Sequence, residues 1–433
     1  MSEVLHPAPA PAGVGSTGAA ITGRTIQLIA CTIAIMAVAG PQYVWTPFVA
    51  PIRHGLGAGL SAVQVTFSLL IVVQCALGPM HGWLADRFGP RFMVGVGAAL
   101  VGLSWISSAY APTLFLLYLT YGVIGGLGIG IVCVTTVALI GKWFPHRRGF
   151  AMGTVAAGYG VGAIVTTGPI SSCIAAYGYR FTLILFGALS MAACGLAAQF
   201  LRRAPTDIAQ PAPAARLGSP SQGPDVSWRR MLQTPVYWLM FAMLVMMSAG
   251  GLMAVSQIGP LSEDFGLAHA TVLGMAALPL ALSFDRVCNG LTRPAFGWLS
   301  DRIGREQTMT LAFTLEAMAI LILLRFGGNP MTFVLMSGVV FFAWGEIFSL
   351  FPAMQSDLFG ASQASLKYGF LLMAQGLGSV LGAPLAVLLR EHSANWTPGF
   401  QIAVGLDLLT AALAWFVLGP MRRRYLARAT AAA

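Results

Sequence analysis

Charge is scarce in this chain. Asp, Glu, Lys and Arg make up 9% of 433 residues, against roughly 25% in an ordinary soluble domain. A soluble protein of this length needs a polar skin, and too few charges are present to build one. Metal-ligand spacing is also missing. The six cysteines (Cys31, Cys75, Cys133, Cys173, Cys194 and Cys288) fall within apolar stretches, so buried thiols are expected instead of disulfides or a zinc site. No glycine-rich loop of the phosphate-binding type ends in Lys-Ser or Lys-Thr, which argues against direct ATP coupling. Paired catalytic carboxylates and nucleophile–base arrangements are lacking too, with only scattered histidines such as His81 at span ends. Neither an enzyme nor a cofactor is expected.

What is abundant is apolar, at 57% of the residues. The apolar residues come in runs long enough to cross a bilayer, which takes about 20 residues as helix. A β-barrel would show short alternating segments instead. Turns and charges delimit twelve spans, approximately 25–48, 61–84, 92–110, 113–141, 149–176, 181–201, 235–258, 271–298, 308–325, 330–355, 367–389 and 398–420. Glycine inside them, as in Gly125–Gly130, suits close helix packing in lipid. Residues 1–24, rich in Ala, Pro and Gly, are expected to be an unstructured tail, and 202–230, with five prolines, a flexible linker. These divide the chain into bundles at 25–201 and 231–420, with a basic tail at 421–433.

The net charge of +10 does not indicate nucleic acid, because the basic residues sit at span ends and not on one soluble face. With the N-terminus inside, 18 of the 24 basic residues are cytoplasmic and four are external. Both termini are therefore expected in the cytoplasm, in a cell membrane of the bacterial inner-membrane type.

Two segments match at an offset of 215 residues: Gly82-Trp83-Leu84-Ala85-Asp86-Arg87-Phe88-Gly89 and Gly297-Trp298-Leu299-Ser300-Asp301-Arg302-Ile303-Gly304. Each joins the second span of its half to the third, an internal repeat typical of transporters. Either aspartate can accept from a helix N-terminus and from the adjacent arginine, while the glycines allow tight packing. Such contacts suit a conformational latch. Arg91 extends the first copy and Arg305 the second.

These residues resemble the signature loop of the major facilitator superfamily, Gly-x-x-x-Asp-Arg/Lys-x-Gly-x-Arg/Lys. Gly82, Asp86, Arg87, Gly89 and Arg91 match it in full; the second copy ends one position early, at Arg305. The resemblance implies an all-α membrane protein of twelve transmembrane helices in two pseudo-symmetric six-helix bundles. The stretches Gln42–Thr46, Lys142–Gly149, Ala156–Gly160, Asn289–Pro294, Leu350–Asp357 and Tyr368–Phe370 narrow it, being similar to the oxalate/formate antiporter family, itself related to the monocarboxylate transporters.

An ionised side chain at mid-helix in a bilayer costs about 2.5 to 3.5 kcal/mol on an insertion scale, so such residues are functional candidates. Asp285, Arg286, Asn289 and Arg293 crowd the eighth span. Arg293 lies about 20° around the helix from Arg286 and about 40° from Asn289, forming one polar stripe. In the resembled families the arginine before this proline binds the substrate carboxylate, which maps to Arg293; the bland alternative is an ion pair with Asp285 or Glu346. Arg286 fits equally a second cationic contact, an attractant in the outer vestibule, or a neutraliser of Asp285. Asp285 and Glu346 are candidate proton carriers. Glu316 and Asp407 are expected to be structural. Tyr43, Trp45, Tyr159, Trp344 and Phe348 supply aromatic walls for a small flat anion, with the resemblance placing Tyr43 and Trp344 at the central cavity.

Oxalate-handling relatives carry a lysine seven residues after the tyrosine of Tyr368-Gly369-Phe370; here that position is Gln375. Two cations fit a dianion, whereas one arginine with a glutamine fits a monoanion or a weaker dicarboxylate grip. The resemblance therefore implies a secondary carrier of small organic carboxylates working by alternating access, and Arg293, Arg286, Asn289, Tyr43, Tyr159, Trp344 and Gln375 are the candidate substrate-binding residues. Antiport or proton symport would drive it, and a monomer in the lipid bilayer is expected. Export of hydrophobic drugs would predict few buried cations, against which Arg286 and Arg293 argue. No signalling domain supports a non-transporting membrane sensor.

Overall fold

The computed structural model describes residues 14–205, 223–267, 269–393 and 396–431. In lipid every backbone polar group must find its partner within the protein, and a helix achieves that within one segment. The first half contains α1 (Val14–Val38), α2 (Leu60–Ala76), α3 (Gly78–Phe88), α4 (Pro90–Ala109), α5 (Gly125–Trp143) and α6 (Arg148–Phe200). The second contains α7 (Pro235–Ser256), α8 (Ala277–Ile303), α9 (Arg305–Phe326), α10 (Pro330–Trp344), α11 (Ile347–Phe359), α12 (Ala364–Ser393), α13 (Thr397–Ala412) and α14 (Gly419–Ala431). Short helices at Gly40–Tyr43 and Thr46–Leu56 extend the first span beyond α1.

Among the described residues seven helices are long and apolar enough to cross a bilayer, or eight counting α2 and α3 as one span bent by 53°. This differs from a plain count of twelve for physical reasons. α6 takes up the expected fifth and sixth spans, broken at Gly178 (φ 80°, ψ 165°). α8, at 27 residues, is long enough, but the charged residues that make it interesting lower its hydropathy. α10 and α11 form one crossing with a break at Gly345-Glu346.

Some boundaries are corrected. The backbone of residues 14–24, expected to be unstructured, is already helical as the start of α1; residues 1–13 lie outside the described residues. Thr271–Val272 pairs with Met275–Ala276 as a short hairpin, so the eighth helix begins at Ala277. Residues 206–222 of the linker are likewise outside the description. Its last part is pinned, not flexible: Gly223 N donates to Asp357 O at 2.7 Å and Val226 N to Phe359 O at 3.2 Å. The basic tail continues as helix α14, with Arg422 Nη1 donating to both oxygens of Glu306 at 2.9 and 3.0 Å.

The halves meet along two crossings, α3 on α12 and α6 on α8. At each, glycine removes the side chain that would hold the backbones apart. A Cβ at Gly78 would overlap the Gly369 backbone, and one at Gly82 the Ser365 backbone. The symmetric crossing sets Gly149 against Gly297 and Gly153 against the Arg293 carbonyl. These approaches cluster toward the end of the molecule that carries the basic loops. On α6 and α8, Gly160 against Gly290 is the approach farthest from that end.

Candidate functional site

The site is built where α6 crosses α8. Asn289 and Arg293 are four residues apart and so share a face. Both are buried, Arg293 to 1% exposure. The following residue, Pro294, has no N–H to close a helical bond there.

The guanidinium of Arg293 reaches sideways between the halves. Its Nη2 donates to Asn289 Oδ1 at 3.1 Å and to Tyr43 Oη at 3.3 Å, and its Nη1 donates to the Ala156 carbonyl of α6. Its carbon lies 4.3 Å from the centre of the Phe348 ring. Its Nε has no hydrogen-bond partner, and among the described residues no carboxylate lies within 4.0 Å. The ion pair with Asp285 or Glu346 that would have made it structural is absent there. A buried cation held by neutral acceptors and a ring face keeps its charge for a ligand anion.

Tyr159 stacks on Tyr43 with ring centres 5.6 Å apart and a 29° interplanar angle, walling the guanidinium on the first-half side. Trp344 supports the other wall: its Nε1 donates to Met247 O at 3.1 Å, and its ring meets Phe348 edge-on at 5.6 Å. Phe348 also lines a small cavity with Tyr368, Leu372 and Gln375. Phe348 thus touches both the Arg293 guanidinium and the cavity that Gln375 lines. Tyr368, the first residue of the Tyr-Gly-Phe motif, belongs to this lining. It stands two turns before Gln375, about 20° away around the helix, a spacing that marks it in the sequence. Trp45 does not join the site; it donates to Gln64 at 3.2 Å and packs on Tyr121 at 4.5 Å.

Arg286, on the same stripe two turns from Arg293, is exposed, with no ion-pair partner among the described residues. The stripe therefore runs from a buried cation near the basic loops to an exposed one farther from them. Asp285 is buried beside Ser337 and Arg286 and does not reach Arg293. Glu346, fully buried, sits among the acids of the second half with Glu316 and Asp407 and not at Arg293; no oxygen of the three has a hydrogen-bond partner. Glu316 and Asp407, expected to be merely structural, thus join it as an uncompensated group.

The repeated loops engage as a matched pair. Asp301 accepts from Gly149 N at 3.0 Å and Phe150 N at 2.9 Å, the free first-turn donors of α6 in the other half. Asp86 accepts from Leu366 N at 3.0 Å, at the start of α12. Gly89 (φ 91°) and Gly304 (φ 103°) end α3 and α8 in a backbone region open chiefly to glycine. The adjacent arginines do not pair with these aspartates. Arg87 lies over Trp83 at 5.2 Å and Arg302 over Trp298 at 4.0 Å, while Lys142 reaches Asp86 at 3.5 Å and Arg305 reaches Asp301 at 2.7 Å. Arg91 donates to Gln199 of its own half and, among the described residues, has no hydrogen bond or ion pair across the halves.

One clamp escaped the sequence. Asp357 accepts from Arg148 across the halves and from Arg305 within its own half, each at 2.9 Å, with all three side chains buried. Arg305 also donates to Ser300.

Two bundles meeting around a buried, uncompensated cation, with symmetric capped loops at one end, define a membrane carrier. The Major Facilitator Superfamily profile matches residues 30–285 and 280–432. The chain belongs to that superfamily; it is a multi-pass membrane transporter and not an enzyme. It is 30% identical over 414 residues to the oxalate:formate antiporter of Oxalobacter formigenes, covering 94% of this chain and 95% of that protein. Monocarboxylate transporter 13 of Bos taurus is 26% identical, covering 78% and 75%. The fold matches that of a proton:xylose symporter (TM-score 0.67, 14% identity, 92% and 96% covered). It also matches a human organic anion transporter (TM-score 0.68, 15% identity, 90% and 99% covered).

Proposed function

We propose that this transporter carries small organic carboxylates by alternating access, with Arg293 as the anion's anchor. The observation that carries this reading is the guanidinium itself, buried where the halves meet and lacking a carboxylate partner among the described residues. Its planar fork suits a carboxylate, and substrate would take over donors now resting on Tyr43 and Asn289. Tyr159, Phe348 and the Trp344 behind it confine a flat anion. Exposed Arg286 draws anions down the open side. Relatives named for oxalate, formate and monocarboxylate transport support the substrate class.

The basic loops and both termini face the cytoplasm, by the excess of arginine and lysine at that end. The glycine crossings, capped aspartates and Asp357 clamp then close the cytoplasmic side, so an anion would enter from outside. Transport requires that this end part while the opposite end closes.

The test is counterflow in proteoliposomes loaded with one unlabelled carboxylate and offered a panel of labelled ones. Movement of at least one, lost in Arg293→Gln, is expected. If no carboxylate exchanges, or the variant transports like the parent, the proposal fails. Proton symport is a second reading, favoured by the unpartnered carboxyl of Glu346, with Asp285 the other candidate carrier.

A further inference from the structure

We infer that a groove on the outer flank of the first half, between α4 and the end of α6, binds one anionic phospholipid. The groove encloses about 650 Å³, within the range of about 300–1,000 Å³ typical of small-molecule sites. Its composition is divided along its length. Phe92, Gly95, Val96 and Ala99 present one face of α4 as an apolar floor. Arg91, Gln199 and Arg203 form the rim at the end with the basic loops.

That division matches an acyl chain below a phosphate. Phe88 and Phe92, which line the groove, are 51% and 61% exposed with rings 6.0 Å apart, an apolar surface suited to lipid. The cations above them lack acidic partners among the described residues. Arg91 donates to the neutral Gln199, Arg203 donates to the Arg87 carbonyl at 3.2 Å, and Arg87 lies over Trp83. The nearby Asp86 is already engaged by Lys142 and Leu366 N. Two guanidiniums thus line the rim at the basic end without an acidic partner among the described residues, and a third, that of Arg87, lies 5.7 Å from the ring of Phe88 in the same groove. Basic pockets between membrane helices on the cytoplasmic side are suited to anionic headgroups. A zwitterionic lipid would bring its own cation into that cluster.

The occupant is a glycerophospholipid of net negative charge, its phosphate between Arg91 and Arg203 and one chain along the α4 floor. Because Arg91 closes the first repeated loop and Arg203 opens the linker, the lipid would join those two segments. The inference stands on this groove and does not depend on the transported substrate.

The experiment titrates the purified full-length transporter, in detergent, with phosphatidylglycerol, with phosphatidylcholine of the same chains, and with inorganic phosphate. Bound copies are read by intact-complex mass spectrometry and stability by thermal unfolding. One phosphatidylglycerol is expected to bind at least tenfold more tightly than phosphatidylcholine. R91Q/R203Q is expected to abolish that preference. Gly95→Phe fills the floor, since a Cβ there meets nothing within 4 Å, and is expected to expel the lipid while leaving the fold intact. It carries the test if the double arginine variant does not fold. Equal affinity for the two lipids, phosphatidylglycerol binding unchanged in Gly95→Phe, or displacement by millimolar inorganic phosphate would each overturn the inference.

Discussion

Arg293 stands in the second half where Gly78 stands in the first, 215 residues earlier. Both lie at a crossing between the halves: Gly78 against the Gly369 backbone, Arg293 with its carbonyl against Gly153. At the first crossing no side chain exists, so the helices simply close. At the second the backbones close equally, and a guanidinium is threaded out toward Tyr43 and Asn289. A symmetric frame thereby carries a single charged site.

Removal of that guanidinium is expected to abolish transport. Arg293→Gln leaves the substrate without a buried counter-charge, a loss of about 2–5 kcal/mol, or on the order of 30-fold and upward in rate at limiting substrate. Arg293→Lys keeps the charge but not the planar fork or the stacking on Phe348, so it should recover little. Initial counterflow rates at matched protein density decide this. A lysine variant as fast as the parent would refute bidentate recognition.

The two loops are predicted to differ in strength despite their shared sequence. Asp86 and Lys142 are 20% and 26% exposed at their side chains, whereas Asp357, Arg148 and Arg305 are at 4%, 2% and 3%. A partly exposed pair contributes about 0–1 kcal/mol, while breaking a buried one costs about 3–5 kcal/mol by stranding its partners. Asp357→Asn should therefore open the basic end far more than Lys142→Ala. Labelling rates of a cysteine in place of the buried Ser365, at the α3–α12 crossing, would report it, with similar rates in both variants counting against the clamp.

Glycine at the crossings predicts a steric version of the same effect. In Gly297→Ala the new methyl would meet the Gly149 and Phe150 backbone, with Gly149 C 2.5 Å away. No side-chain rotation relieves a clash with backbone. The basic end should part in this variant, whereas Gly95→Ala, whose Cβ faces open space, should behave as the parent. Spin-label distances across the end would distinguish them, and an unchanged distribution in Gly297→Ala would contradict the packing argument.

Much of this frame was legible in the sequence, because it depends on local pattern. The 215-residue repeat, the helix-capping role of Asp86 and Asp301, and the Asn289–Arg293 stripe all follow from spacing. Pairings across long separations did not: Arg148 and Asp357 are 209 residues apart, and only the tertiary crossing joins them. Adjacency also misled. Arg87 and Arg302 were matched to the neighbouring aspartates, yet Trp83 and Trp298, four residues before them, share their helical face and win. Glu346 lies with Glu316 and not at Arg293, beside a helix break at Gly345-Glu346 that no periodicity announces.

Glu346 gives the sharpest test of coupling. A fully buried carboxyl without hydrogen-bond partners has nothing to compensate an ionised form. If it carries a proton with substrate, an imposed pH gradient should accelerate uptake in the parent and not in Glu346→Gln, while exchange at equal pH persists in both. A parent rate indifferent to the gradient would eliminate symport through Glu346 and through Asp285 alike, leaving antiport.

Gln375 tests what the single arginine implies about substrate charge. It lines a cavity with Phe348, whose ring packs on Arg293, so a cation placed there would share that ring's surroundings with the first. One buried guanidinium balances one carboxylate; a second carboxylate would enter unpaired, at a cost of about 1–3 kcal/mol or more. Gln375→Lys supplies its partner. The variant should gain at least tenfold in oxalate-over-formate preference, because the same ammonium that holds the second carboxylate goes unpaired with a monoanion. Competition of the two anions in counterflow measures the ratio directly. An unchanged ratio, with the variant still transporting, would mean that the cavity's charge count does not set its selectivity.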